Sequence, residues 1–286
     1  MTAQRMEVLT VKLVEELQEA AQMGVAVDGI IARLRRATLP ALLEYGCLRW
    51  ATKGAFPPLP QAINATQAGE ALMQVRCELG LRTTGPQKPH LKRLDTQPVE
   101  FHIIEGTNGL QDDEWQQFEI RFDRSAQNVG FPAKTAHALH GALHEMVENA
   151  VIHAEAPTSI LVGYQAMSGV ALFSVADVGR GVLASLRSHT AYQHLQLHKD
   201  AIRAAIHDGT TRFGPNTRGL GFRQVFKSLA AQWGYLRFRS GNGCITLNGQ
   251  GLDADQGAET FPPNLPGFQV TVCCQTSAIQ PAEPMA

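Results

Sequence analysis

Three polar side chains that could bind a ligand recur at four-residue intervals in the middle of the sequence. They are Glu145, Asn149 and His153, which offer a carboxylate, a neutral amide oxygen and an imidazole. Residues at i, i+4 and i+8 of a helix lie along one side, so this spacing predicts a polar ridge that faces a ligand. Apolar residues at three- and four-residue steps predict the buried side of the same helix: Leu139, Leu143, Met146, Val147, Ala150 and Ala154.

A second group of residues with chemical potential is Asp177-Val-Gly179-Arg-Gly181, which follows an apolar run. Glycines at alternate positions let the backbone approach a flat ligand closely, and a carboxylate accepts a hydrogen bond from an exocyclic amine. The same pattern is also typical of an ordinary turn. Taken alone, it leaves both interpretations open.

Glycines also precede a helical pattern further along the chain, in Arg218-Gly219-Leu220-Gly221. The apolar spacing of Phe222–Trp233 predicts a helix, and Gly234 is placed to end it. Backbone N–H groups at such a helix start suit a phosphate, and the alternative is a tight turn into a packed helix. The sequence contains no G-x-x-x-x-G-K-[ST] pattern, so a nucleotide would not be held by a P-loop.

The composition is that of a soluble globular protein and gives no electrostatic argument for nucleic acid or a membrane surface. The chain has 286 residues, 44% hydrophobic and 18% charged, with a formal net charge of -1 and a pI near 6.8. No apolar run approaches the roughly 20 residues that span a bilayer, and the first residues show no signal-peptide pattern. Cysteines without a CxxC pair predict reduced thiols in a cytoplasmic protein: Cys47, Cys77, Cys244, Cys273 and Cys274.

The first 95 residues have the patterns of helices, and we assign them no chemistry. Helices are predicted over Val8–Met23, Asp28–Thr38, Leu42–Trp50 and Thr66–Leu79. Pro40 is expected to interrupt the pattern between the second and the third. Glycine and prolines in Thr83–Pro89 mark the best domain boundary. The sequence therefore predicts a mainly helical region over 1–95, a second domain over 96–276 and a flexible tail over 277–286.

From about residue 100 the patterns change to strands and helices. Strands are predicted over Phe101–Ile104, Phe118–Phe122, Ile160–Tyr164, Ala171–Val175 and Gln269–Cys273. A turn at 167–169 would join two of them as a hairpin, whose second strand leads into Asp177. The helix with the polar ridge follows Pro132, and a further helix is predicted over Lys199–His207.

The order and contexts of these features resemble one superfamily. The sequence resembles the motifs of the GHKL, or Bergerat-fold, ATPases in four features taken in chain order. They are Glu145-xxx-Asn149-xxx-His153 on a helix, Asp177-x-Gly179-x-Gly181 at a strand end, a long loop, and Gly219-x-Gly221 before a helix. That superfamily includes ATP sites of gyrase, heat-shock chaperones, histidine kinases and mismatch-repair proteins, and the anti-sigma-factor serine kinases. The resemblance covers about residues 100 to 275. It implies an α+β fold of the Bergerat type, a mixed, mostly antiparallel sheet under helices that hold ATP.

The resemblance also implies a role for each motif residue. Glu145 would be the general base that orients a water or hydroxyl, Asn149 the Mg²⁺ ligand, and Asp177 the acceptor of the adenine amine. The other nucleotide-binding residues implied by position are Gly179 and Gly181 beside the base, Gly219, Leu220 and Gly221 at the phosphates, Thr211 in a lid over 182–217, and Arg218 directly after that lid. His153 matches a position that is often basic in the family, and packing against the sheet is its alternative. Glu148 is interpreted as a surface partner of His144.

One position departs from the family pattern. The family commonly has Gly-Thr entering its last strand, with the threonine near the base, whereas this chain has Gly267-Phe268. Thr246 and Thr271 are the alternatives that could replace that threonine.

The implied function is an ATP-binding protein of a bacterial regulatory pathway that hydrolyses ATP or transfers its γ-phosphate to a protein. An ATPase or anti-sigma-type serine kinase is favoured because Glu145 is present and the N-terminal region lacks a phosphoacceptor helix. A hybrid histidine kinase is disfavoured, since the His144-Glu145 pair lies inside the nucleotide helix. The alternative is an ATP-gated interaction switch or scaffold with little or no catalysis. The expected cofactors are ATP and Mg²⁺ and the expected partner is a protein, with a homodimer left open and neither nucleic acid nor membrane expected.

Overall fold

The computed structural model describes residues 8–60, 99–153, 159–167, 169–208, 233–249 and 257–276. They form an α+β fold in which helices precede an antiparallel sheet, as the sequence predicts. The described helices are α1 (Val11–Gln22), α2 (Asp28–Ile31), α3 (Leu39–Ala51), α4 (Asp113–Asn128), α5 (Ala133–His153), α6 (Gly181–Arg187) and α7 (His198–Asp208). The strands are β1 (Val8–Leu9), β2 (Arg36–Ala37), β3 (Val99–Glu105), β4 (Ser159–Met167), β5 (Val170–Ala176), β6 (Trp233–Gly241), β7 (Gly243–Gly249), β8 (Ala258–Thr260) and β9 (Leu265–Gln275).

Seven strands form one sheet in the order β3-β4-β5-β9-β6-β7-β8. Every pairing in this sheet is antiparallel, and β1 and β2 form the only parallel pair among the described strands. Strand β9 pairs with both β5 and β6, so a strand from late in the chain occupies the centre of the sheet. The predicted hairpin is confirmed as β4 and β5, and the predicted strand over Gln269–Cys273 lies within β9.

Helices α4 and α5 cover one side of the sheet, which we call the front face. Helix α5 begins directly after Pro132, as predicted, and its apolar stripe is buried: Leu139, Leu143, Met146, Val147 and Ala150. These side chains share a core with Phe173 and Val175 of β5 and with Val270 and Val272 of β9. Since burial of one such side chain is worth about 1.5–3 kcal/mol, the stripe fixes the rotation of α5 on the sheet.

The predicted strand over Phe118–Phe122 is wrong, because these residues lie inside α4. The side chain of Asp112 accepts a hydrogen bond from the Glu114 amide and caps the helix start. Apolar residues at helical spacing then reach the core, with Trp115, Phe118, Phe122 and Ala126 all fully buried. Ile120, which a strand would have buried beside its neighbours, is instead 37% exposed. A five-residue alternation was too short to distinguish the two periods.

The N-terminal helices begin and end at other residues than predicted. Val8 and Leu9 pair with Arg36 and Ala37, so α1 begins only at Val11. Because Arg36 and Ala37 form β2, helix α2 ends at Ile31, well before the predicted end at Thr38. Pro40 does not interrupt a helix. It lies in the first turn of α3, where the missing N–H has no helical partner to lose.

Helix α3 packs on the opposite side of the sheet, the back face, against β4, β5 and β9. Its residues Leu42, Leu43 and Cys47 are buried in a second core that also contains Ala176 and Leu265. The back-face side chains of β6 include Arg237 and Arg239, which are 5% and 0% exposed. The sheet is therefore covered by helices on both faces. The predicted helix Thr66–Leu79, the boundary at Thr83–Pro89 and the tail 277–286 lie outside the described residues.

The predicted helix over Phe222–Trp233 is wrong at its end. Trp233 and Gly234 belong to β6, where Gly234 pairs with Gly249 and Cys274. Gly234 is therefore part of a central strand and does not end a helix. The rest of that predicted helix lies outside the described residues.

None of the described helices is both long and apolar enough to cross a bilayer. The described cysteines are free thiols, as predicted: Cys47, Cys244, Cys273 and Cys274.

Candidate functional site

Helix α5 presents Glu145 and Asn149 on the side that its apolar stripe leaves free. Both side chains are half-buried, and Nδ2 of Asn149 lies 3.4 Å from Oε1 of Glu145, to which it donates. The neighbouring Met146 and Val147 are buried in the front core, so the rotation of the helix is fixed. The polar ridge is thus confirmed for these two residues. His153 ends α5, and the side chain of this third residue of the ridge lies outside the described part of the structure.

Asp177 follows the last residue of β5 and is only 2% exposed. Its Oδ1 accepts a hydrogen bond of 2.6 Å from the Gly179 amide, and its own amide donates to the carbonyl of Phe268 at 3.0 Å. Burial raises the pKa of the Asp177 carboxyl to about 7, although amide hydrogen bonds from Gly179 and Phe268 oppose the shift. This carboxyl can therefore change its protonation state near neutral pH.

Two glycines allow the backbone to close around Asp177. Gly267 has a φ of +83°, and a Cβ atom there would lie 2.0 Å from the carbonyl oxygen of Asp177 and 2.6 Å from its Oδ1. Gly181 has a φ of +76°, and its Cβ would lie 2.9 Å from Oγ of Ser240 and 3.0 Å from the Gly267 carbonyl oxygen. At both positions the conformation and the space admit only glycine. The Asp177-x-Gly179-x-Gly181 sequence thus forms a tightly packed turn, in which the Gly179 amide donates to Asp177.

Ser240 links the segments that surround Asp177. Its hydroxyl donates to the Gly267 carbonyl at 2.8 Å and accepts from the Val182 amide at 3.0 Å. Gln269 adds a hydrogen bond of 3.1 Å from its Nε2 to the Asp177 carbonyl oxygen. Sequence reasoning missed both Ser240 and Gln269. The Ser-Gly-Asn-Gly turn after β6 was a visible signal for the first, whereas nothing in the sequence distinguished Gln269 from a surface residue.

Asp177 and the α5 ridge lie on the same side of the sheet. Side chains alternate between faces along a strand, and Phe173 and Val175 of β5 point into the front core. Asp177, two residues further on, continues that side. Helix α5 contacts both β5 and α6, and α6 begins at Gly181. The two predicted motifs therefore lie on the same face of the sheet.

Phe268 occupies the place opposite Asp177 on β9. Its ring belongs to the front core and lies 5.8 Å from the ring of Phe238. Thr271 points to the back face, where its hydroxyl lies 2.9 Å from Oγ of Ser174. Thr246 alternates with Ile245 and Leu247 of the front core and therefore also points to the back. Neither threonine can replace the hydroxyl that Phe268 lacks.

Helices α6 and α7 lie in the region of the predicted lid, and α7 confirms the helix predicted over Lys199–His207. Glu259 of β8 holds α7 through Lys199, at 3.0 Å, and through Arg203. The remaining predicted contacts with the phosphates lie outside the described residues and stay predictions: Thr211, Arg218, Gly219, Leu220 and Gly221.

The sequence suggested Glu148 as the partner of His144, but the main partner is Glu119. Nδ1 of His144 lies 2.7 Å from Oε1 of Glu119 on α4, and Glu119 is only 6% exposed. This hydrogen bond raises the pKa of His144, while the charge of Glu148 adds only a smaller effect. His144 thus joins α5 to α4 and is not part of the ridge.

The Asn149 and Glu145 side chains fit a metal ion that takes most of its ligands from phosphates and water. Among the residues that the structure describes, no three His, Cys, Asp or Glu side chains are grouped to hold a metal. Mg²⁺ commonly binds through one or two protein oxygens and completes its shell with phosphates and water. Asn149 could supply one such oxygen, because its hydrogen bond to Glu145 uses only its NH₂ group.

Comparison with known proteins adds no assignment. Neither a protein-family model nor a curated protein matches this chain. Its function therefore has to be inferred from the geometry around Asp177 and the α5 ridge.

Proposed function

We propose that this protein binds ATP and Mg²⁺ on the front face of its sheet, and that it hydrolyses ATP or transfers its γ-phosphate to a protein partner. The observation that carries the proposal is the buried carboxyl of Asp177 on the same side of the sheet as Glu145 and Asn149. A lone buried carboxyl is costly unless it is paired or neutral. A ligand that donates a hydrogen bond to it would offset that cost.

Recognition of adenine would use the carboxylate of Asp177. Hydrogen bonds from the Gly179 and Phe268 amides orient this group, and it would accept a further hydrogen bond from the exocyclic amine. Guanine presents a carbonyl oxygen at the corresponding place and would face an acceptor. The apolar ring of Phe268 beside Asp177 supports a pocket for a flat base.

Asn149 and Glu145 would act at the phosphate end of the ligand. Asn149 would hold Mg²⁺, which neutralises charge on the phosphates. Glu145 would accept the proton of the attacking water or protein hydroxyl. The hydrogen bond between the two side chains supports this division, because it holds the Glu145 carboxylate beside the amide oxygen that would face the ion.

The proposed setting is a reducing compartment, the bacterial cytoplasm, which the free thiols of the described cysteines support. Transfer and hydrolysis can be separated with γ-labelled ATP, supplied to the purified protein with and without a cell lysate. Label on a protein identifies a kinase, and free phosphate identifies an ATPase. Tight binding without either product would identify an ATP-gated switch, and absence of binding would refute the proposal.

A further inference from the structure

The N-terminal helices carry no residue with a predicted role, yet they lie directly behind Asp177. Ala176 and Leu265, which are both fully buried, belong to the back core formed with α3. Val178 packs against the same core. The residues on either side of Asp177 are therefore fixed by the N-terminal layer, while Asp177 itself faces the front.

A buried ionic cluster joins this layer to β6. Glu44 of α3 is 2% exposed and receives hydrogen bonds from two arginines, Arg237 and Arg239, the second at 2.9 Å. Arg239 also donates to Gln18 of α1 at 3.0 Å, while Arg237 also pairs with Glu15 of α1. Buried arginines need such partners, because an uncompensated charge is strongly unfavourable in a protein interior.

Arg239 holds the end of β6 from which the pocket wall is built. It pairs across the strands with Gln269, whose side chain donates to the Asp177 carbonyl. The next residue, Ser240, binds Gly267 and Val182 on the front face. A change in the position of Arg239 therefore shifts both supports of the Asp177 turn.

Cys47 lies in the same back core as Ala176, the residue before Asp177. It lies one helical turn after Glu44 on α3 and is fully buried. Burial raises the pKa of the Cys47 thiol, and the charge of Asp177 raises it further, followed by that of Glu44. The negative charges of Asp177 and Glu44 thus both disfavour the Cys47 thiolate.

We propose that Glu44 is a positioning residue of the Asp177 pocket, and that the N-terminal layer is the pocket's back wall. Glu44 acts through Arg239, which fixes Ser240 and Gln269 against the Asp177 turn. The consequence for ATP affinity rests on the function proposed above, whereas the positioning itself does not. A signal that moved α3 would reach the site by this route.

Hydrogen exchange in the nucleotide-free protein tests the positioning. Glu44→Gln keeps the shape of the side chain and removes its charge. The Val182 amide, which donates to Ser240, should exchange about tenfold faster relative to core amides of β4 such as Val162. Glu15→Gln is the matched control, because Glu15 binds the same cluster only through Arg237. The Glu15→Gln substitution should change the exchange rates of the Val182 and Val162 amides by the same factor or leave both unchanged.

A second variant keeps the test decisive if Glu44→Gln does not fold. Gln18→Met removes an uncharged partner of Arg239, together with the hydrogen bond from Gln18 to the Asn264 carbonyl, and leaves the three arginine–glutamate pairs in place. It should accelerate exchange at Val182 in the same selective way. Equal acceleration at Val182 and Val162 in the folded variants, or the same selective effect in Glu15→Gln, would overturn the positioning role.

Titration with a non-hydrolysable ATP analogue then tests the consequence for the ligand. Affinity should fall about tenfold in Glu44→Gln and stay within about twofold in Glu15→Gln. Unchanged affinity in a folded Glu44→Gln protein would overturn the link to the ligand. If the wild-type protein does not bind the analogue, the proposed function fails, and the exchange measurement still decides the positioning role.

Discussion

Gly267 lies so close to Asp177 that a Cβ atom on the glycine would stand 2.0 Å from the aspartate carbonyl oxygen. The contact joins the start of β9 to the turn after β5, and β5 pairs with β9 along its whole length from Val170 to Ala176. The shape of the segments around Asp177 therefore depends on the absence of a side chain at one position of the central strand.

Gly267→Ala should unfold at a lower denaturant concentration than the wild type and lose ATP affinity. Gly24→Ala is the control, since Gly24 has a similar φ of +75° but no atom within 4 Å of its Cβ position. Backbone strain alone should lower the free energy of unfolding of Gly24→Ala by about 1–2 kcal/mol. In Gly267→Ala the overlap with Asp177 should lower it by a further amount of about 1–3 kcal/mol or more. Equal unfolding midpoints for the two variants would show that the contact is not tight.

Asp177→Ala should remove base selectivity as well as affinity. A charge-assisted hydrogen bond is worth about 1.5–3 kcal/mol, so ATP binding should weaken roughly 10- to 150-fold. GTP should bind the wild type poorly and the variant about as well as ATP does. Calorimetric titration of both nucleotides measures the ratio, with melting curves and Asp113→Ala, which removes an exposed carboxylate of α4, as controls. A folded variant with the wild-type ATP-to-GTP ratio would exclude Asp177 from base recognition.

Glu145→Gln should bind Mg-ATP normally and turn it over roughly 10² to 10⁴ times more slowly, the range expected for loss of a general base. Asn149→Ala should instead weaken binding, and the loss should disappear when ATP is titrated without Mg²⁺. Glu148→Gln is the matched control, because Glu148 is a half-buried carboxylate on the same helix. Wild-type turnover in Glu145→Gln would favour the interaction switch.

The stability of the protein should depend on pH through Asp177. Burial raises the pKa of this carboxyl from 3.8 to about 7 in the folded protein, so the folded state holds the proton that the unfolded chain releases. Between about pH 4 and pH 7 the free energy of unfolding should therefore fall as the pH rises, by at most roughly 1.4 kcal/mol per unit. Urea unfolding of the wild type and of Asp177→Asn isolates this contribution, since the variant cannot titrate. If the free energy of unfolding varied with pH in the same way in the wild type and in Asp177→Asn, the predicted contribution of Asp177 would be contradicted.

ATP binding should have the opposite dependence on pH. The charge-assisted hydrogen bond from the adenine amine needs an ionised Asp177, so below about pH 7 forming it has to displace a proton. Affinity should weaken by up to about tenfold per unit below that pH in the wild type, after normalisation to Asp177→Asn. The normalisation removes the titration of the nucleotide itself. A constant ratio between the two proteins from pH 5.5 to pH 8 would contradict the prediction.

The sequence predicted those parts of the fold in which one periodicity ran long enough to be unambiguous. Helix α5 was readable because its apolar stripe repeats over four turns, and Asp177 because it follows a strand that turn residues delimit. Phe118 and Phe122 were misread because two residues four apart fit both a helix and a strand. Pro40 was misread because the start of α3, where proline is tolerated, depends on the pairing of β1 with β2.

The rest of the site could not be read locally, because it depends on contacts between distant parts of the chain. Gln269 and Ser240 act only once β9 lies between β5 and β6. The partners of Arg237 and Arg239 come from helices about 190 to 220 residues earlier. Periodicity identifies a buried face but not the residue that lies opposite it.

The central place of β9 also sets an order of events during synthesis. Residues of β5 and β6 emerge from the ribosome before those of β9, yet each needs β9 as its neighbour. Until β9 has been made, both strands present unpaired backbone edges, which are prone to association with other chains. The Asp177 turn is also incomplete without Gly267. A nascent chain truncated before Leu265 should therefore be unable to fold around a nucleotide and should depend on chaperones for its solubility.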